Sequence, residues 1–160
     1  MDAVRLIETC RGALAQSGEV TDTLKEAWQA QALTQAIGSR LTTGGPRELR
    51  GDALALGEAG TRGCTALGVP AFGAEGIRAA RLTTIGDPKR SLFDLGTMLA
   101  EVGMALVGIA SSADEDAIYW QCMEAIDAAD ESRDRVVAML RRLAEREHTL
   151  PTTDSPAETA

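Results

Sequence analysis

Between Asp87 and Glu147 apolar residues recur at steps of three and four, and that period constrains the fold more than any other feature of the chain. Leu92, Leu95, Leu99, Val102, Leu106 and Ile109 make up one run. After Ser111-Ser112 the pattern resumes at Ile118, Cys122, Ala125, Ala129, Ser132, Val136, Met139 and Leu143. Steps of three and four place each set along one helix face, the stripe that a bundle buries. The stretch therefore reads as one long helical hairpin. No constellation of residues specifies a chemistry, so the sequence says far more about architecture than about activity.

Punctuation residues divide the rest. A first helix is predicted from about Asp2 to Ser17, burying Ala3, Ile7, Cys10 and Leu14, with Gly18 as its stop. A second runs roughly from Val20 to Thr42. Its apolar face starts at Val20, Leu24 and Trp28 and shifts azimuth toward Leu33, Ile37 and Leu41, a width that implies more than one neighbour. Thr43-Gly44-Gly45-Pro46 ends it, and proline at a first helical position opens the third, about Pro46 to Leu67. That helix contains Gly57, Gly60 and Gly63. Each glycine costs roughly 1 kcal/mol against alanine, so a neighbour pressed against them has to hold the element. Residues 68–73 read as a loop and 74–85 as a short helix.

Asp87-Pro88 is an N-cap followed by proline, a helix start. The helix it opens, about 88–110, carries one charge between Leu95 and Ala110 and is predicted to be central and surrounded nearly all round. Ser112-Ala113-Asp114-Glu115 fits a capping box opening the last helix, about 113–147. That helix is acidic early and basic late, complementing its dipole. At 1.5 Å per residue it reaches on the order of 50 Å, against roughly 34 Å for its hairpin partner. Its far end needs another surface. The fold expected is all-α: an up-and-down bundle of roughly five to six helices in a single domain, 1–147. Residues 148–160, rich in Thr, Pro and Ala, read as a disordered tail.

Composition excludes several function classes. The net charge of −8 argues against a chain-wide nucleic-acid surface and against anionic membranes. Residues 95–110 fall short of the ~20 apolar residues of a membrane span, and the Met-Asp start lacks a secretory signal, so a cytoplasmic protein is expected. Three cysteines, Cys10, Cys64 and Cys122, lie far apart on or beside apolar stripes and read as core thiols. With aromatic residues at 3%, the core has to be aliphatic, with helices approaching closely where side chains are small.

Candidate chemistry is thin. Glu145-Arg146-Glu147-His148 is an E-x-x-H, but the chain has a single histidine, too few for a di-iron bundle or a hydrolytic triad. No catalytic residue, metal or cofactor is implied. Arg78, Arg81, Lys89 and Arg90 form the one locally basic stretch, beside a helix start that favours anions. Glu101, in the least polar stretch, needs an arginine from another helix or faces a ligand. Trp120 and Met123, with Glu124, Asp127, Glu131 and Asp134, form either a solvated acidic face or a docking face. Val136, Met139, Leu140 and Leu143 are the residues left needing cover, by the first helix or by a second copy in a symmetric dimer.

Residues 26–41 (EAWQAQALTQAIGSRL) and 119–144 (YWQCMEAIDAADESRDRVVAMLRRLA) resemble small, uncharacterised helical proteins of streptomycetes and related actinobacteria. The resemblance implies a cytoplasmic all-helical protein from such a host and carries over no catalytic residue. The functional expectation is a non-catalytic interaction or scaffold protein, a homodimer or one with a protein partner. The alternative is an anion or small-ligand sensor built on residues 78–90 with Glu101.

Overall fold

The structure, a computed structural model, describes residues 1–72 and 76–149. Its elements are α1 (Ala3–Gln16), α2 (Val20–Gly44), α3 (Arg50–Leu67), α4 (Pro88–Ser112) and α5 (Asp116–Thr149), with single 3-10 turns over Arg47–Leu49 and Arg78–Arg81. Among the described residues there is no strand, only an isolated bridge between Asp2 and Thr84.

Helix starts follow their caps. The Asp2 carboxylate accepts from the Arg5 amide at 2.9 Å, and the Asp87 carboxylate from the Lys89 amide at 3.2 Å. Two boundaries differ from the sequence reading. Pro46 stays extended, with ψ 139°, and caps a 3-10 turn before α3 begins at Arg50. The capping box does not form either. Ser112 remains inside α4 and its hydroxyl donates back to the Gly108 carbonyl at 3.2 Å, so it is spent on the preceding turn. Glu115 precedes α5 and accepts from the Tyr119 amide through its carbonyl. The helix expected over 74–85 reduces to the turn Arg78–Arg81, with residues 73–75 outside those described. The expected tail lies outside them from residue 150 onward, and α5 itself runs to Thr149.

Packing is layered. Helices α4 and α5 form the antiparallel hairpin. Helix α3 lies along the other side of α5, α2 covers α3, and α1 closes the bundle against α2 and α4. Gln121 of α5 donates to Leu67, the last residue of α3, while Arg142 reaches Asp52 near its start, so α3 and α5 are antiparallel. Residues 76–87 run back along the bundle to the start of α4. Their end is fastened beside the start of α1 by the Ala3 amide on the Thr84 carbonyl, and to the end of α2 by Arg40 on the Thr83 carbonyl. The buried side chains are mostly aliphatic, with Leu6, Leu33, Leu56, Leu92, Leu95 and Leu99 fully enclosed. The wide face of α2 is realised as an unbroken buried run, Ala27 to Thr34, because three helices contact it.

The glycines of α3 meet α2 backbone to backbone. A Cβ on Gly60 would stand 2.7 Å from the Gln35 nitrogen, and one on Gly38 of α2 would stand 2.6 Å from the Gly57 nitrogen. Gly57 itself has ordinary room, with its nearest neighbour at 3.7 Å.

Helix α4 is central and apolar but is not surrounded all round. One face supplies Leu92, Leu95, Met98, Leu99, Val102 and Leu106 to the core. The other leaves Phe93, Met104 and Val107 65%, 77% and 50% exposed. Among the described residues it is the one helix long and apolar enough to cross a membrane.

Candidate functional site

The basic stretch does not converge on a site. Arg78 donates to both Glu26 carboxylate oxygens, at 2.6 and 3.3 Å, with both side chains largely enclosed. The hydrogen bond to Glu26 holds the guanidinium above its ordinary pKa against the opposing effect of burial. Gln29 completes the brace, accepting from the Arg78 amide and donating to the Gly76 carbonyl, each at 3.0 Å. Arg78 therefore fastens the crossover to α2. Lys89 pairs with Glu147 at 3.4 Å and Arg90 with Asp94 at 3.1 Å, both on the surface. Arg81 is exposed, and its carbonyl accepts from the Met1 amino group at 2.8 Å.

Glu101 accepts a two-pronged contact from Arg11 of α1, Nη2 at 2.6 Å and Nε at 3.0 and 3.1 Å. Both side chains are 38% exposed. The carboxylate ties α1 to α4, and the hydrogen bond raises the Arg11 pKa. Its partner is thus an arginine from another helix, the requirement its position in an apolar stretch imposed.

The far end of α5 finds its cover inside the chain. Val136 and Met139 are buried in the core, with Leu140 and Leu143 packed against it. The covering surface comes from α3 and the turn before it. Asp52 accepts from Arg142 at 2.8 Å and Arg135 at 3.4 Å, and Glu48 pairs with Arg146 at 3.8 Å. Val136 and Met139 are thus enclosed within the chain, while Leu140 and Leu143 are half-buried. Met123 is half-buried. Trp120 is 62% exposed and meets Tyr119 edge-on, ring centroids 5.2 Å apart.

What the bundle leaves uncovered is the outer face of α4. A Cβ on Gly96 would lie 3.4 Å from Val136, which puts α5 on that side, and the Glu101–Arg11 pair puts α1 on the opposite one. At 3.6 residues per turn, Phe93, Thr97, Ala100, Met104, Val107 and Ser111 fall between the two, one row at alternating steps of four and three. Tyr119, Met123 and Val137 share a face of α5 by the same spacing, with exposed Asp130 and Arg133 between the last two. Helix α3 holds the other side of α5, so this second row borders the first. Exposed Lys89 and Arg90 stand at one end of the face and exposed Asp114, Glu115 and Asp116 at the other.

Two shallow grooves follow the α2–α3 seam. One, of about 480 Å³, is lined by Gln35, Ser39, Leu54 and Arg62 among others. The next, of about 540 Å³, runs past Trp28, Cys64, Val69 and Ile77. None of the basic-stretch residues lines either. Burial pushes the Cys64 thiol up to about 12 and raises Cys10 and Cys122 as well, so these thiols are protonated and unreactive at neutral pH. Among the described residues no group of three or more His, Cys, Asp or Glu is placed to hold a metal ion.

Together these features define an all-α bundle, five helices among the described residues, braced by interhelical ion pairs and with an apolar face open on one helix. The chain belongs to a family of unknown function, DUF6099, whose model matches residues 1–142. No curated protein and no solved structure matches it.

Proposed function

We propose that the protein is a non-catalytic interaction module that meets a protein partner on the outer face of α4. The observation that carries the reading is Met104, 77% exposed at the middle of the most apolar helix, with Phe93 and Val107 on the same row. Large exposed apolar side chains aligned along one helix face mark a recognition surface, whereas scattered ones do not. The alternative of an anion sensor on Arg78, Arg81, Lys89, Arg90 and Glu101 has less support. Arg78 is enclosed with Glu26, Glu101 is committed to Arg11, and Lys89 and Arg90 line neither groove. A cytoplasmic setting in an actinobacterial host is part of the proposal. It is supported by the acidic net charge and by a basic complement that is nearly all arginine.

A photoreactive side chain placed at position 104, with one at the similarly exposed Leu54 of α3 as control, tests the reading in cells expressing the protein. Covalent adducts from 104 and none from 54 are expected. Adducts only from 54, or from neither, would refute the α4 face.

A further inference from the structure

We infer that the occupant of the α4 face is a second copy of this chain, packed antiparallel about a two-fold axis near Ala100. The inference rests on the interaction reading and names its partner. Charge favours this pairing. Lys89 and Arg90 stand at the start of the face, and Asp114, Glu115 and Asp116 stand beyond its end, all exposed. Antiparallel pairing lays the basic end of each copy on the acidic end of the other, twice over, as a two-fold axis requires. Parallel pairing sets like charge on like charge at both ends, which disfavours that orientation.

Shape favours it as well. With the axis near Ala100, Phe93 of one copy faces the Val107 region of the other and Thr97 faces Met104. Ala100 meets its own counterpart, with Gly103 beside it, so the backbones approach closely at the centre. The existing ion pairs of Lys89 and Arg90 do not oppose this, because exposed pairs of that kind contribute little and are readily exchanged.

Helix α4 is about 37 Å long, and its open face, about 10 Å across, offers roughly 400 Å² per copy. The bordering face of α5, with Tyr119, Met123 and Val137, enlarges it toward the ~800 Å² per partner of a stable interface. An anionic lipid surface fits less well, because it would repel the acidic turn at one end of the face and the net charge of −8 behind it.

The test is sedimentation velocity at tens of micromolar on four proteins: wild type, Lys89→Glu/Arg90→Glu, Asp114→Lys/Glu115→Lys, and Met104→Glu. Circular dichroism confirms the fold of each. The wild type is expected to be a dimer and Met104→Glu a monomer. Each charge-reversed protein should dimerise at least about tenfold more weakly, and an equimolar mixture of the two should recover wild-type affinity, because both ends then match again. Should either charge-reversed protein misfold, one chain carrying all four reversals supplies the same restoration test. A monomeric wild type, or a mixture that fails to recover, overturns the inference. A monomeric wild type that co-sediments with phosphatidylglycerol vesicles would assign the face to lipid and overturn it too. If that monomer still gives adducts from position 104 with another polypeptide, the interaction reading stands and only the second copy falls.

Discussion

Gly57 and Gly60 lie three residues apart on α3, yet alanine should have opposite effects at the two positions. At Gly60 the added methyl would sit 2.7 Å from the Gln35 nitrogen, 2.9 Å from the Gln31 carbonyl oxygen and 3.0 Å from the Gln35 Cα. All three are α2 backbone, which cannot rotate aside as a side chain would. Overpacking of this kind costs about 1–3 kcal/mol, and rigid neighbours place it in the upper half of that range. Helix propensity returns about 1 kcal/mol on replacing glycine, leaving a net loss of about 1–2 kcal/mol. At Gly57 the nearest atom is the Gln35 carbonyl oxygen at 3.7 Å, ordinary contact, so propensity acts alone and Gly57→Ala should gain about 0.5–1 kcal/mol. Gly38→Ala should follow Gly60→Ala, since its methyl would meet the Gly57 nitrogen and the Ala53 carbonyl oxygen at 2.6 and 2.8 Å. Urea unfolding monitored by circular dichroism resolves a gap of ~2 kcal/mol between the Gly57 and Gly60 variants. A Gly60→Ala protein as stable as Gly57→Ala would refute backbone contact as the reason for these glycines.

Asp52→Ala should lose about 1–2 kcal/mol, because two arginines lose a largely enclosed carboxylate but are themselves half-exposed; unfolding midpoints that do not move would count against the clamp. Glu101→Gln should cost about 1 kcal/mol or less for the same reason at a more exposed pair, read in the same titration. The Cys64 pKa, raised from 9.0 to about 12, makes the folded state hold that proton more tightly than the unfolded chain. The resulting stability is fully present below about pH 9 and is lost as pH rises toward 12. Alkylation of Cys64 at pH 8 should run about a thousandfold slower in the folded protein than in urea, and equal rates would contradict its burial.

The two stripes of the hairpin were legible from spacing alone, because a three-four period has only one way to bury itself. The need for cover at the far end of α5 was also legible. Its source was not, since Asp52 and Glu48 lie more than eighty residues from the arginines they meet. Arg135 and Arg142, seven apart and so on one helix face, were the available hint of a common carboxylate partner. Glycines pressed by a neighbour were expected on α3, and Gly60 and Gly63 are so placed, whereas Gly38 on the facing helix gave no signal without a known register. The outer face of α4 escaped for a different reason. Hydropathy registers apolar side chains all round a helix but does not count the neighbours available to cover them. In the basic stretch, proximity along the chain suggested a shared site, while the structure hands Arg78 to a glutamate fifty-two residues away.

The measurement that bears most directly on the α4 face is the oxidation rate of Met104 by dilute peroxide, followed by mass spectrometry of its peptide. Met98 and Met139, fully buried, serve as internal controls that stay slow throughout. If the face is a docking surface, Met104 should oxidise nearly as fast as free methionine in highly diluted purified protein. It should be protected severalfold in intact cells and in concentrated solution, while the controls do not change. Met104 oxidising at the free rate under every condition would mean that nothing covers this face, and would contradict the account.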